Sequence, residues 1–428
     1  MPALRRTSKS VRRACALLFL ALLAVGPLLD PPAWVSASAL AARQSDAGAV
    51  GYRGDAARTG NQPGPGPTAS PAERWRFAVP FDENDPYADL LADLLVISWP
   101  VVADGVVYAG GLDGALYAID VATGAQRWRL ESGAIGSVAA PVVADGIVFV
   151  GAQDGLLLAV DAASGEERWR VELGPGSVAN LPLPAVADGV VYAGGGEGIL
   201  LAVDAASGQE RWRLVVGGEA IGAPSVSGGL VFVTAAADIG GGNADLVAVD
   251  AANGTERWRV AVGNQPLHAA PATDGELVYV PGPGEDEMAA LLALEAASGT
   301  ERWRYDTGGF VIGNPATAEG RVFVATNHAL IGLDAATGQE VWRVEDVESG
   351  LSAPPPAIAD GVVYVFAGRV DAIANTESGV VLAVEVASGS ERWRYDTGFA
   401  PSQLGAWDLA VAEGLVVVPG TGFLLALG

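Results

Sequence analysis

"DAASGEERWR" occupies residues 161–170 and returns as "DAASGQERWR" at 204–213, "DAANGTERWR" at 250–259 and "EAASGTERWR" at 295–304. With the tryptophan as marker, the copies fall at Trp75, Trp128, Trp169, Trp212, Trp258, Trp303, Trp342 and Trp393, at intervals of 39 to 53 residues. A period of this length built from strand-like units points to a β-propeller with one four-stranded sheet per unit. The unit around Trp169 shows the internal order: "APVVA", "IVFVGA", "LLLAVD" and "EERWRVEL", four apolar or alternating runs separated by "DG", "QDG" and "AASG". These are strands A to D of one blade. The A–B turn recurs as Asp104-Gly105, Asp145-Gly146, Asp188-Gly189 and Asp360-Gly361, where glycine supplies the positive φ of a tight turn.

The first tryptophan run, "AERWRFAV" from Ala72, is a D strand with no A, B or C before it, and the last unit, "LAVAEGLVVVPGTGFLLALG" from Leu409, has A, B and C but no D. The sequence therefore predicts an all-β, eight-bladed propeller of four-stranded antiparallel blades, closed by an N-terminal D strand pairing with the C-terminal A–C strands.

Gly 57 and Pro 26 in 428 residues suit many short strands joined by turns. The formal charge of −25 argues against nucleic acid and anionic membrane surfaces as partners. Basic residues from Arg5 to Arg13, the apolar run "ACALLFLALLAVG" and the small-residue stretch "SASALAA" read as an export signal, with a retained N-terminal anchor as the alternative. Cys15, the one cysteine, stands at the start of the apolar run, before its apolar core rather than after it, which argues against a lipid anchor. The expected organisation is a signal peptide over 1–39, a linker over 40–72 and the propeller over 73–428. The expected location is extracytoplasmic, the expected state a monomer, with membrane contact only through an uncleaved N-terminal segment.

The segment A-x-D-A-A-T/S-G-x-x-x-W-R resembles the repeat of quinoprotein-type propellers, found in pyrroloquinoline quinone (PQQ) dehydrogenases and in BamB-like proteins, and "YRGDAARTG" at 52–60 resembles the segment that commonly precedes such repeats. The resemblance covers about residues 51–428. It implies that the eight motif tryptophans lie between neighbouring blades, each indole N–H bonded to a backbone carbonyl next door. Burial of a large aromatic with a satisfied N–H gives the same role on physical grounds.

Candidates for function lie where the repeat breaks. The near-invariant A–B and C–D turns share one face of the ring. The irregular segments 80–98, 235–245, 282–290, 367–379 and 396–407 share the other, which is where binding is expected on a rigid scaffold. Trp99 and Trp407 lie outside the motif at the entries to blades one and eight, where they form either an aromatic floor at the channel mouth or packing beneath the 80–98 loop. His268 and His328 also map to this face, each expected as a solvated or locally hydrogen-bonded side chain, with a ligand or base as the alternative. Asp286, Asp371, Asn375 and Glu377 could supply oxygen ligands to calcium, although their spacing fits no EF-hand and a solvated charge run is the simpler reading.

Two functions are consistent with these residues. The first, which we favour, is a non-catalytic scaffold that binds a protein or peptide partner through the irregular face. The second is a PQQ- and calcium-dependent quinoprotein dehydrogenase. The vicinal cysteine pair and attached haem site that resemblance to alcohol-oxidising members would imply are absent from this sequence, and the chain is compact.

Overall fold

The computed structural model describes residues 49–79, 98–111, 113–132, 138–152, 154–174, 182–237, 243–264, 270–284, 289–309, 313–345, 355–371, 376–399 and 408–428, with the backbone alone at 220, 243, 264, 369–371, 376 and 377. Residues 1–39, expected from sequence as an export signal, lie outside them, Cys15 included. Eight antiparallel sheets follow one another along the chain as the blades of an eight-bladed β-propeller, with no helix among the described residues. Blade two is typical: A Val142–Ala144, B Ile147–Ala152, C Leu156–Asp161 and D Glu167–Glu172, paired in that order. The A strand of each blade contacts the A strands of its neighbours, from blade one through eight and back to one, so the A strands form the inner wall. In blade eight, Ala410–Ala412, Leu415–Gly420 and Phe423–Leu427 come from the C-terminal end and pair with the N-terminal strand Glu73–Ala78, in the register Trp75↔Ala426 and Phe77↔Leu424.

B and C strands are buried on both faces, hence their continuous Val, Leu and Ala. D strands alternate, because one face meets the next blade and the other meets water. In all eight C–D ladders a one-residue bulge falls between the D strand's first residue and its tryptophan, skipping the position before Trp, and sets Trp opposite Ala, or opposite Gly332 in blade six. Seven of the eight indole N–H groups donate to the following blade: Trp128 to the Ala162 carbonyl at 3.0 Å, Trp212 to Ala251 at 2.9 Å, Trp342 to Val386 at 2.9 Å, with Trp75, Trp169, Trp258 and Trp303 bonded alike. Trp393 instead donates to the Pro67 carbonyl at 3.1 Å. The motif glycine lies against the preceding blade's indole: a Cβ on Gly165 would come within 2.7 Å of Trp128, at a φ of 77° that already disfavours other residues. The motif aspartate caps its own turn, Asp161 accepting from the Ser164 N–H and hydroxyl, and pairs with Arg168 on the D strand. All parts of the repeated decamer thus have a local or interblade contact.

Of the segments expected as irregular, 367–379 is largely strand and 235–245 is strand at both of its ends. Blade seven carries a long hairpin, Val362–Asp371 on Thr376–Glu385, and blade four another, Leu230–Ala236 on Asn243–Asp250. Once the B and C strands are in register their ladder simply continues past the wall, as Gly368↔Gly379 and Asp371↔Thr376 do.

Candidate functional site

The residues that distinguish this ring sit on its axis. Val50–Gly51 pairs with the A strand of blade two, Gly51↔Val142. A tight turn then reverses the chain at Gly51–Gly54, and residues 56–65 run around the inner wall. The carbonyl of Ala56 accepts from Val226 N–H in blade four at 2.7 Å, Ala57 from Thr273 in blade five at 2.9 Å, Thr59 from Thr317 in blade six at 2.5 Å, and Gly60 from Ile358 in blade seven at 2.7 Å. Gly64 and Pro65 complete the path on blade eight, donating to Val411 and accepting from Gly414. Residues 49–65, expected from sequence as part of a linker, are therefore packed inside the ring.

Three side chains of this segment fill the axis. Arg58, 1 % exposed, donates from Nε to the Pro224 carbonyl at 2.5 Å and from its terminal nitrogens to Leu183 at 3.0 Å, Pro184 at 2.9 Å and Tyr52 at 3.0 Å. Arg53 donates to the Pro315 carbonyl at 2.6 Å and reaches Pro356 at 3.5 Å, so two guanidiniums collect carbonyls at the entries of blades three, four, six and seven. Both arginines sit at positive φ, 65° and 52°, a conformation that persists only where the surroundings over-determine it. Asp55 braces the turn by accepting from the Thr59 N–H and hydroxyl.

Tyr52 lies in a socket made by one homologous position from seven of the eight blades, two residues before the first residue of strand A. That position holds Trp99, Ala140, Leu183, Ala223, Ala270, Asn314, Pro355 and Asp408 in blades one to eight. Small or aliphatic residues fill five of the eight. The three exceptions all engage Tyr52: Trp99 stacks on its ring at 4.5 Å and 22°, Asn314 Nδ2 donates to its hydroxyl at 2.9 Å, and the Asp408 carboxyl acts on it electrostatically. The Arg58 guanidinium also lies over this ring, 4.9 Å from its centroid. Asp408 Oδ2 and Arg53 Nε are buried with no hydrogen-bond partner.

The electrostatics follow from burial. Burial pushes the Asp408 carboxyl up to about 7, against the opposing pull of Arg53 and Arg58. It also pushes the Tyr52 phenol up, the Arg53 guanidinium down, and Arg58 down to about 10.

Of the residues singled out from sequence, Trp99 is on the axis. His328 is an exposed side chain in the B–C turn of blade six, its Nε2 2.7 Å from Asn327 Nδ2. Trp407, His268, Asp286 and Asn375 lie outside the described residues. Asp371 and Glu377 are described as backbone only, in the blade-seven hairpin. Among the described residues no group of three or more His, Cys, Asp and Glu could hold a metal ion. Tyr52, Arg53, Arg58, Asn314 and Asp408 were missed. For Asn314 and Asp408 a signal exists in the eight aligned repeats, as a polar residue at a position that is otherwise mostly small or aliphatic. Tyr52, Arg53 and Arg58 precede the repeats and carry no such mark.

A planar quinone bearing several carboxylates needs an open slot and uncommitted cations. The described axial residues offer neither, because Tyr52 fills the space beside Trp99 and the terminal nitrogens of both guanidiniums are directed at backbone carbonyls. The crevice beside them, lined by Ala49, Tyr52, Arg58, Val142 and Pro184 among others, has no room for a water molecule. The axial residues do not fit PQQ.

Fold and repeat together define an eight-bladed propeller of PQQ-like repeats. A family model described as outer membrane protein assembly factor BamB matches residues 68–181, 153–242 and 242–421, and the chain belongs to that family. No curated protein matches it in sequence. Similar solved structures include the quinohemoprotein alcohol dehydrogenase of Comamonas testosteroni, 16% identical over 92% of this chain and 82% of that one with a TM-score of 0.61. BamB of Moraxella catarrhalis is 16% identical over 83% and 99% of the two chains, TM-score 0.56. The computationally designed protein Ika8 is 18% identical over 78% and 96%, TM-score 0.61. At these identities the likeness is one of fold.

Proposed function

We propose that this protein is a non-catalytic, extracytoplasmic propeller scaffold that binds a protein or peptide partner through the face carrying the B–C and D–A connections. The observation that carries this reading is the axis filled by the chain's own Tyr52, Arg53 and Arg58, a position where a dehydrogenase would need room for cofactor and substrate. The export pattern of residues 1–39 and membership of the BamB family support the location and the partner class. The blade-seven hairpin, Val362–Asp371 on Thr376–Glu385, extends this face well beyond the wall of the ring and is the surface we assign to the partner.

Two measurements test the reading. Replacing residues 370–377 by a short Gly-Asp turn should abolish capture of partners from envelope or secreted extract while the far-ultraviolet circular dichroism stays unchanged, since shortening a loop costs little closure entropy. Retained capture removes the hairpin from the interface. Titration of the purified protein with PQQ and calcium should give no saturable binding and no dye-linked alcohol oxidation; a positive result in both replaces the scaffold reading with a quinoprotein dehydrogenase.

A further inference from the structure

We propose that the channel of this ring is a peptide-binding site, filled in the folded chain by its own residues 50–65, which accepts in trans an extended peptide of the same pattern: an aromatic residue and an arginine, followed five residues on by a second arginine and Thr-Gly. The inference goes beyond the scaffold reading and does not depend on which partner uses the loop face.

The contacts that hold residues 50–65 are those of a bound ligand. They are main-chain hydrogen bonds to the A strands of blades two and four to eight, together with side chains set into pockets that the blades build. Each part of the pattern meets a counterpart on the ring. The tyrosine enters the socket of Trp99 and Asn314. The first arginine reaches the carbonyls of Pro315 and Pro356, and the second those of Leu183, Pro184 and Pro224. The glycine is required because a Cβ on Gly60, at a φ of 77°, would lie 2.6 Å from Ala316 Cβ and 2.9 Å from the Pro356 carbonyl oxygen. The inner wall is thus specific for sequence as well as shape. None of these contacts depends on covalent continuity with the blades. The segment joins the D strand of blade eight through Thr68, Ala69 and Ser70, which are exposed. The partner is basic where the protein as a whole carries −25, so long-range attraction favours the same ligand class.

The test uses the full-length folded protein with a protease site placed over Thr68–Ser70, cleaved after purification. The N-terminal fragment should remain bound on gel filtration. A fluorescent synthetic peptide of residues 49–67 should replace it stoichiometrically during a cycle through dilute guanidinium, with circular dichroism confirming an intact ring. Peptides carrying Arg58→Ala or Tyr52→Ala should compete on the order of a hundredfold less well, because each leaves buried polar or aromatic surface unmatched. Collapse of the ring on cleavage overturns the proposal. So does loss of the fragment in native buffer, failure of the labelled peptide to enter, or equal uptake of a shuffled peptide.

Discussion

Asp408 is the residue whose chemistry most departs from its ordinary behaviour. Its carboxyl is buried at the axis among Tyr52, Arg53 and Arg58, one oxygen has no partner, and burial raises it to about 7 from an ordinary value of 3.8. In the unfolded chain it ionises near its ordinary value, so between about pH 4 and pH 7 the folded state binds more protons than the unfolded one. Stability from this group therefore falls as pH rises through that window and levels off above it. Asp408→Asn keeps the shape and removes the titration. The thermal midpoint of the wild type should drop relative to Asp408→Asn between pH 5 and pH 8, by an amount corresponding to a few kcal/mol at most (~1.4 kcal/mol for each tenfold change in proton affinity). Parallel melting curves at the two pH values would show that this carboxyl does not carry a raised pKa.

At the scale of the element, the repeated motif gives each D strand one interblade anchor. Trp212 is 9 % exposed, its indole bonded to Ala251 and packed against Gly254, whose φ is 72°. Trp212→Ala should cost about 3–5 kcal/mol, the usual penalty for emptying a buried aromatic site. The check is the guanidinium denaturation midpoint, and an unshifted midpoint would remove this indole from the interblade core. The motif's exposed pairs, such as Arg168 with Asp161, contribute far less because water screens them. Their regular service is to cap the C–D turn and keep charge along the outer strand of each blade, which protects an edge from pairing with another chain.

At the scale of the whole molecule, one stretch of about thirty residues serves two places at once. Residues 50–65 line the axis and Glu73–Ala78 completes blade eight. Deleting residues 51–79 therefore removes the D strand of one blade, the hydrogen-bond partners of six A strands and the two arginines that satisfy entry carbonyls. The expected result is aggregation on gel filtration or a large fall in thermal midpoint, since a bare C strand and unpaired inner N–H groups are left together. A truncated protein that stays monomeric and melts like the parent would show that the ring stands without this segment.

By itself the sequence determined the repeat, the strand order within it and the number of blades. Those features rest on short-range physics: alternation along a strand, glycine at positive φ, and a tryptophan recurring once per sheet. The tertiary structure alone decided what fills the axis. The Tyr52 socket draws on Trp99, Asn314 and Asp408, far apart along the chain, and these side chains from separate blades meet only because the ring has closed. The same holds for the long hairpins of blades four and seven, where a loop-like composition continues as strand because the flanking ladder is already in register. Local pattern specifies a blade, whereas the centre of a propeller is a long-range property of all the blades together.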